Sequence, residues 1–141
     1  MALSREEREQ MLAEPHVAAL AVDAGDGRAP LTVPIWYGYE PGGEVWVLTG
    51  RDSRKAQLVE RAGRFSLMVE RLQPSVRYVS IEGPVTGTAP GTHDDLVTIS
   101  ARYLPPEQVE PYVKIAEADH GPQVVIRMRP EHWLSADLGP A

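Results

Sequence analysis

Three cations and one hydroxyl fall within five consecutive residues, Arg51-Asp52-Ser53-Arg54-Lys55. Apolar residues at helical spacing follow, so we predict a helix here, capped by Asp52 or Ser53. The helix dipole disfavours cations at this end by roughly 0.3–1 kcal/mol each at exposed positions, whereas cations and free backbone N–H groups together suit a phosphate. The segment also follows a strand end at Leu48-Thr49, where ligand-facing loops tend to lie. We therefore predict an anion site; the alternative is a solvated helix end.

A second segment, Val33 to Tyr37, combines a proline with two aromatic residues inside a predicted strand. Pro34 lacks the N–H that a strand ladder needs, so this strand should lie at an edge or be bulged there. Backbone polar groups left free beside Trp36 would suit a flat heterocycle with donor and acceptor edges. The alternative is that Trp36 and Tyr37 are aromatics of the core or of a dimer interface.

Other chemistries find little support in the sequence. There is no cysteine, which excludes disulfides, thiolate metal ligands and a thiol nucleophile, and redox chemistry would need a bound cofactor. No glycine-rich nucleotide loop or serine nucleophile motif occurs. Glu117 and Asp119 are a possible carboxylate pair, although a solvated helix end explains them equally well. We predict no metal site, because four histidines lack ligand spacing: His16, His93, His120 and His132.

Charge and hydropathy narrow the class of partner. The formal net charge is −6, which argues against nucleic acid, because such proteins usually carry a basic face. The first 14 residues are charged and lack the apolar core of a signal peptide. No stretch approaches the roughly 20 apolar residues that span a bilayer. We expect a cytoplasmic protein with neither a membrane nor a nucleic-acid partner.

The elements that position these segments follow from apolar spacing. The length of 141 residues suits one domain, 1–141. Short loops in the first half favour antiparallel pairing, and six strands with a few helices predict a mainly β (α+β) closed or half-closed barrel. Helices are predicted at 5–13 (with Ser4 and Glu7 as a capping box), from 53 to a stop at Gly63, at 92–104 and at 107–118. Strands are predicted at 17–22, 31–39, 44–49, 64–70, 77–85 (bent at Gly83-Pro84) and 123–128; the tail after Glu131-His132-Trp133 has no predicted element.

Taken together, these segments resemble the pyridoxamine 5′-phosphate oxidase-like split barrels, a superfamily of flavin and deazaflavin oxidoreductases. No single motif is decisive, and the order and spacing carry the likeness. The matching stretches are Ala18–Val22, Leu31–Tyr37, Val45–Thr49 with Ser53–Ala56, Arg64–Glu70 and Tyr78–Gly83. The likeness is greatest to the short actinobacterial branch, many of whose members use the deazaflavin F420. The resemblance implies a six-stranded antiparallel split β-barrel of Greek-key order with flanking short helices.

The resemblance also implies roles for individual residues. The cofactor phosphate would be held by Ser53, Arg54 and Lys55. Leu48 and Thr49 would flank the ribityl chain. The isoalloxazine or deazaflavin ring would be contacted through the backbone of Pro34, Ile35, Trp36 and Tyr37. Because the family forms homodimers with two sites at the interface, a partner chain would complete each site, and Trp133 is a candidate for that contribution.

Some positions depart from the family pattern. The family often has Asn in the cofactor helix and Asp-Pro before the next strand, where this chain has Leu58 and Ala62-Gly63. The chain also lacks the arginine-rich ending of true pyridoxamine-phosphate oxidases, so we do not expect that activity.

We therefore expect an F420- or FMN-dependent oxidoreductase that transfers hydride to or from a small organic substrate, with F420 preferred by family branch. The polyglutamate tail of F420 would favour further basic residues, for which Arg51, Arg61 or Arg64 are available. No side chain stands out as a catalytic acid or base, and solvent or Tyr37 would supply a proton. The alternatives are a non-catalytic F420 or FMN carrier or sensor, and a dimeric barrel without cofactor. A haem-binding relative is conceivable, but no histidine is persuasively placed as its axial ligand.

Overall fold

The computed structural model describes residues 1–119 and 121–140 of the chain. Its helices are α1 (Arg5–Ala13), α2 (Arg54–Ala62), α3 (His93–Tyr103) and α4 (Pro106–Asp119). Its strands are β1 (Ala18–Val22), β2 (Leu31–Ile35), β3 (Tyr37–Tyr39), β4 (Val45–Gly50), β5 (Arg64–Arg71), β6 (Arg77–Pro90), β7 (Gln123–Met128) and β8 (His132–Asp137).

The strands form one antiparallel sheet in the order β2-β1-β5-β6-β7-β4-β3. Only Trp36 separates β2 from β3, so the chain itself joins the two ends of this order and the sheet curls into a half-barrel. The long strand β6 holds the barrel together, because its first half pairs with β5 and β8 and its second half with β7. The expectation of a mainly β, antiparallel split barrel with flanking helices is confirmed.

Alternating burial explains why these segments are strands. In β1, β4 and β5 every second residue is buried, as period-two apolar sequences require when one face covers a core. Helix α1 adds Met11 and Leu12 to that core, both almost fully buried. Its start is set locally, since Ser4 and Glu7 form the predicted capping box.

Helix α2 begins and ends where local chemistry allows. Ser53 is the N-cap residue and its hydroxyl accepts a hydrogen bond from the Ala56 N–H at 3.3 Å. Gly63 ends the helix in the left-handed conformation, with a φ of 72°, which costs glycine little. The helix predicted from the sequence is therefore confirmed, and of the two candidate caps Ser53 is used.

Three elements differ from the sequence prediction, and two of these differences raise the number of described strands from six to eight. The predicted strand 31–39 is interrupted at Trp36. Strand β6 continues to Pro90, because it passes the bend at Gly83-Pro84 and a register shift between Val85 and Gly87. The tail is not featureless: β8 pairs with Arg77–Glu82 of β6. Among the described residues, no helix is long and apolar enough to cross a membrane.

Candidate cofactor-binding cleft

A cleft of about 570 Å³ lies where β2, β4 and α2 meet the α3–α4 hairpin. This volume is within the range of small-molecule sites. Six of the nine residues predicted from the sequence line it: Pro34, Ile35, Trp36, Leu48, Thr49 and Lys55. The remaining lining residues are Val17, Gly50, Leu96, Ile99, Tyr112 and Gln123.

Trp36 occupies the break between β2 and β3 and takes part in neither strand ladder. Its ring stacks on Tyr103 of α3, with centroids 4.7 Å apart and planes 9° from parallel. Tyr112 of α4 approaches the same indole at 5.4 Å. Helices α3 and α4 therefore fix the aromatic wall of the cleft from outside the barrel.

The hydroxyl of Tyr103 holds the strand break in place. It accepts a hydrogen bond from the Tyr37 N–H at 3.1 Å. It also lies within hydrogen-bonding distance of two carbonyls, those of His16 (2.8 Å) and Tyr37 (3.1 Å). One helical side chain thus satisfies backbone groups that a neighbouring strand would otherwise satisfy.

Tyr37 does not line the cleft. Its side chain is fully buried in the barrel, and its hydroxyl donates to the carbonyl of Leu12 at 2.7 Å, at the end of α1. Burial raises the pKa of this phenol far above its usual value. A proton from Tyr37, one of the two sources considered from the sequence, would have to leave a closed core, so this side chain is poorly placed for that role.

The first turn of α2 supplies the positive end of the cleft. Lys55 lines it, and this turn contains no acidic residue. Within residues 1–119 and 121–140, neither Arg54 nor Lys55 forms an ion pair. Thr49 is almost fully buried, with its hydroxyl 3.5 Å from that of Ser53. A free ammonium beside a helix N-terminus is suited to an anion.

The other predicted cations lie elsewhere. Arg54 is exposed and Ser53 is occupied as the N-cap residue, and neither lines the cleft. Arg51 faces Asp52 at 3.4 Å and lines a smaller pocket beside Val59. Arg61 packs against the turn at Gly25, and Arg64 opens β5. None of these three arginines, proposed for a polyglutamate tail, lines the cleft.

A family model described as pyridoxamine 5′-phosphate oxidase matches residues 4–136. The chain belongs to the pyridoxamine 5′-phosphate oxidase family. The resemblance read from the sequence is therefore confirmed.

Solved structures share the fold of this family member. A conserved hypothetical protein, Rv2991 of Mycobacterium tuberculosis, is 24% identical, with a TM-score of 0.73 over 97% of this chain and 86% of that one. An F420 reductase is 21% identical, with a TM-score of 0.74 over 89% and 94%. An FAD-binding protein of Mesorhizobium loti is 18% identical, with a TM-score of 0.69 over 97% and 96%. No curated protein matches the chain in sequence.

Several cleft residues of this family member were not found from the sequence. Leu96 and Ile99 of α3, with Tyr103 one turn further on, do lie at helical spacing and predict an apolar face. That spacing does not say what the face covers. Tyr112 and Gln123 carried no signal of their own, since each reaches the cleft only through tertiary packing.

The histidines and carboxylates do not gather at the cleft. His16 contacts Glu14 at 3.0 Å. His93 of α3 contacts Glu117 of α4 at 3.0 Å, and this hydrogen bond raises the pKa of the imidazole. Glu117 therefore pairs with His93, and neither Glu117 nor Asp119, the possible carboxylate pair, lines the cleft. His120 lies outside the described residues, and among those described no three His, Asp or Glu side chains are grouped to hold a metal ion.

Proposed function

We propose that the chain is a flavin-type oxidoreductase that binds F420 or FMN in this cleft and transfers hydride to or from a small organic substrate. The observation that carries the proposal is the cleft itself, with a strand break and its indole at one side and an unpaired ammonium at the other. Family membership supports it, as does the shared fold with an F420 reductase and an FAD-binding protein.

The residues present fit such a group. Lys55 and the N–H groups of the first turn of α2 would bind the phosphate. Thr49 and Leu48 would lie along the linking chain, and Trp36 would offer its backbone to the ring edge. A bound flavin or deazaflavin supplies the hydride chemistry. The protein would orient the ring and would keep water from the part of it that lies in the cleft.

F420 is our first choice between the two cofactors. It is supported by the likeness of the sequence to the F420-using branch and of the fold to an F420 reductase. Since Arg51, Arg61 and Arg64 do not line the cleft, we propose that a polyglutamate tail would extend beyond it.

We also propose that two copies of the chain form a homodimer with the cofactor site at their interface. Val17, an apolar residue that lines the cleft, is 58% exposed, and a second chain at this rim would cover it. Light scattering of the purified protein measures this directly. A monomer at all concentrations would contradict it.

A binding titration tests the proposed function. We expect purified protein to bind F420 or FMN with a dissociation constant of about 1 μM or lower, followed by fluorescence. Lys55→Gln should weaken binding about tenfold or more, because a charge-assisted contact to the phosphate is lost. Lys114→Gln is the matched control, since Lys114 lies on α4 outside the cleft. Failure to bind either cofactor would reject the proposal and leave the cofactor-free barrel.

A non-catalytic carrier or sensor is the second candidate. It is favoured by one observation: the described residues that line the cleft include no histidine, aspartate or glutamate. An oxidoreductase with solvent as its proton source needs none of them. Steady-state turnover of the reduced cofactor with any organic acceptor distinguishes the two, because a carrier binds tightly and gives none.

A further inference from the structure

A second concavity, of about 320 Å³, lies between α1, β3 and the β7–β8 corner. We call it the arginine pocket, after Arg5, Arg8 and Arg129 in its lining. Trp133 and Tyr39 form its apolar wall, their rings edge to face with centroids 6.4 Å apart. It shares no lining residue with the cofactor cleft.

Arg8 is the distinctive group of this pocket. Its guanidinium lies over the indole of Trp133, 4.5 Å from the ring centroid. Its Nε is shielded from solvent and has no hydrogen-bond partner. Among the described residues, no carboxylate pairs with Arg8, whereas Arg5 has Glu9 at 3.8 Å and Arg129 has Glu131 at 2.8 Å.

Each of the two carboxylates that line the pocket accepts a hydrogen bond from elsewhere in the chain. Glu9 accepts the Gly42 N–H at 3.2 Å and lies 3.8 Å from Arg5. Glu44 accepts the hydroxyl of Thr86. The pocket therefore holds three guanidinium groups against two carboxylates, and among the described residues the guanidinium of Arg8 pairs with neither carboxylate. The shielded Nε cannot meet a ligand in the pocket, so the two terminal nitrogens of Arg8 are the donors that such a ligand would use.

We propose that the arginine pocket binds a small organic anion, an oxyanion carried on a planar apolar group. Arg8 would donate to the oxyanion through its planar fork, which matches phosphate and carboxylate geometry. The stacking on Trp133 fixes the guanidinium plane in advance, so little freedom is lost on binding. Trp133, Tyr39 and Pro130 would cover the apolar part of the ligand. This proposal does not depend on cofactor binding in the cleft.

Calorimetric titration of the full chain tests the proposal with three probes: inorganic phosphate, phenyl phosphate and benzoate. We expect saturable binding of phenyl phosphate with a dissociation constant of about 1 mM or lower, and weaker binding of inorganic phosphate, which has no ring. The ratio of phenyl phosphate to benzoate affinity identifies the preferred oxyanion. Absence of saturable binding for all three would overturn the proposal.

Variants locate the bound anion. Arg8→Gln should weaken the binding of phenyl phosphate about tenfold or more, because one charge-assisted contact is lost. Arg28→Gln removes the same charge from an exposed loop outside the pocket and should change the affinity less than about twofold. Because phosphate has a second possible site at Lys55, Lys55→Gln is titrated as well. Binding that is lost in Lys55→Gln and kept in Arg8→Gln would overturn the proposal.

A third variant separates binding from folding. Arg8→Lys keeps the charge and loses the bidentate fork, so it should weaken phenyl phosphate while its thermal midpoint stays near that of the unsubstituted protein. Unchanged affinity in a folded Arg8→Lys protein would show that only diffuse charge is sensed and would overturn the assignment to Arg8.

Discussion

The described residues form two apolar cores of very different size, and the two cores serve different purposes. The larger fills the half-barrel and includes Leu12 of α1 and Met128 of β7, and of its buried members Ile35 also lines the cleft. The smaller lies outside the barrel and contains four buried residues of the α3–α4 hairpin: Leu96, Ile99, Val113 and Ala116. Its partly buried neighbours include Trp36 and Leu48, which line the cleft. Stability and site geometry therefore depend largely on different residues. A substitution in the larger core should mainly lower stability, and one in the smaller core should also lower cofactor affinity.

The largest expected effect is on the barrel core. Leu67 of β5 is fully buried, and Leu67→Ala should lower the free energy of unfolding by about 2–5 kcal/mol, since it removes apolar contacts and leaves a cavity. Cofactor affinity of the remaining folded protein should change little, because Leu67 is not among the residues that line the cleft. Urea unfolding measures the free energy of unfolding, and the cofactor titration measures the dissociation constant.

The contrasting variant is Ile99→Ala in the smaller core. Ile99 is also buried, but it lines the cleft, and a cluster of four residues can collapse more easily around a void. We expect a stability loss nearer to about 2 kcal/mol together with a clear loss of cofactor affinity. Leu67→Ala and Ile99→Ala could instead reduce cofactor affinity by the same factor for each kcal/mol of unfolding free energy lost. The two cores would then be one cooperative unit, and the distinction between them would be wrong.

A smaller effect should come from the hydroxyl that joins the two cores. Tyr103→Phe leaves the Tyr37 N–H without its acceptor and should cost about 1–3 kcal/mol of unfolding free energy. Cofactor affinity should fall as well, because the strand break beside Trp36 loosens.

Tyr112→Phe is the matched control for stability. Tyr112 contacts the same indole, and among the described residues its hydroxyl makes no hydrogen bond. Its unfolding free energy should stay within about 0.5 kcal/mol of the unsubstituted protein. Equal losses in both variants would show that ring packing matters and the Tyr103 hydroxyl does not.

The sequence predicted best what is decided locally. The capping box at Ser4 needs only Glu7, and the acidic first turn at Thr92 needs only its next three residues. Strand alternation in β4 and β5 likewise reports one buried face. Such local patterns predict most elements of the barrel without any information about the contacts between them.

What the sequence missed depends on partners distant along the chain. Strand β8 carries a weak pattern, with Leu134 exposed, and exists because β6 offers it an edge. The break at Trp36 needs Tyr103, 67 positions later. Arg61 was a candidate for the ligand only because nothing in the sequence indicates that it packs on Gly25. Six of the nine predicted residues line the cleft, because two short segments, 34–36 and 48–55, supply them.

The smallest effect, and the one that tests the hairpin alone, depends on pH. The hydrogen bond to Glu117 raises the pKa of His93 above 6.5 in the folded protein, so protonated His93 ties the start of α3 to the end of α4. This contribution is fully present in mildly acidic solution below 6.5 and is lost as pH rises through the raised pKa of His93. His93→Gln should therefore have a lower thermal midpoint than the unsubstituted protein at about pH 6, and the two should converge at high pH. Glu117→Gln should behave in the same way.

Because both side chains are exposed, the difference in thermal midpoint should be small and should shrink with salt. If the difference in thermal midpoint is the same at both ends of the pH range, His93 stabilises the protein through packing. The α3–α4 hairpin would then be held, like the barrel core, by apolar contacts alone.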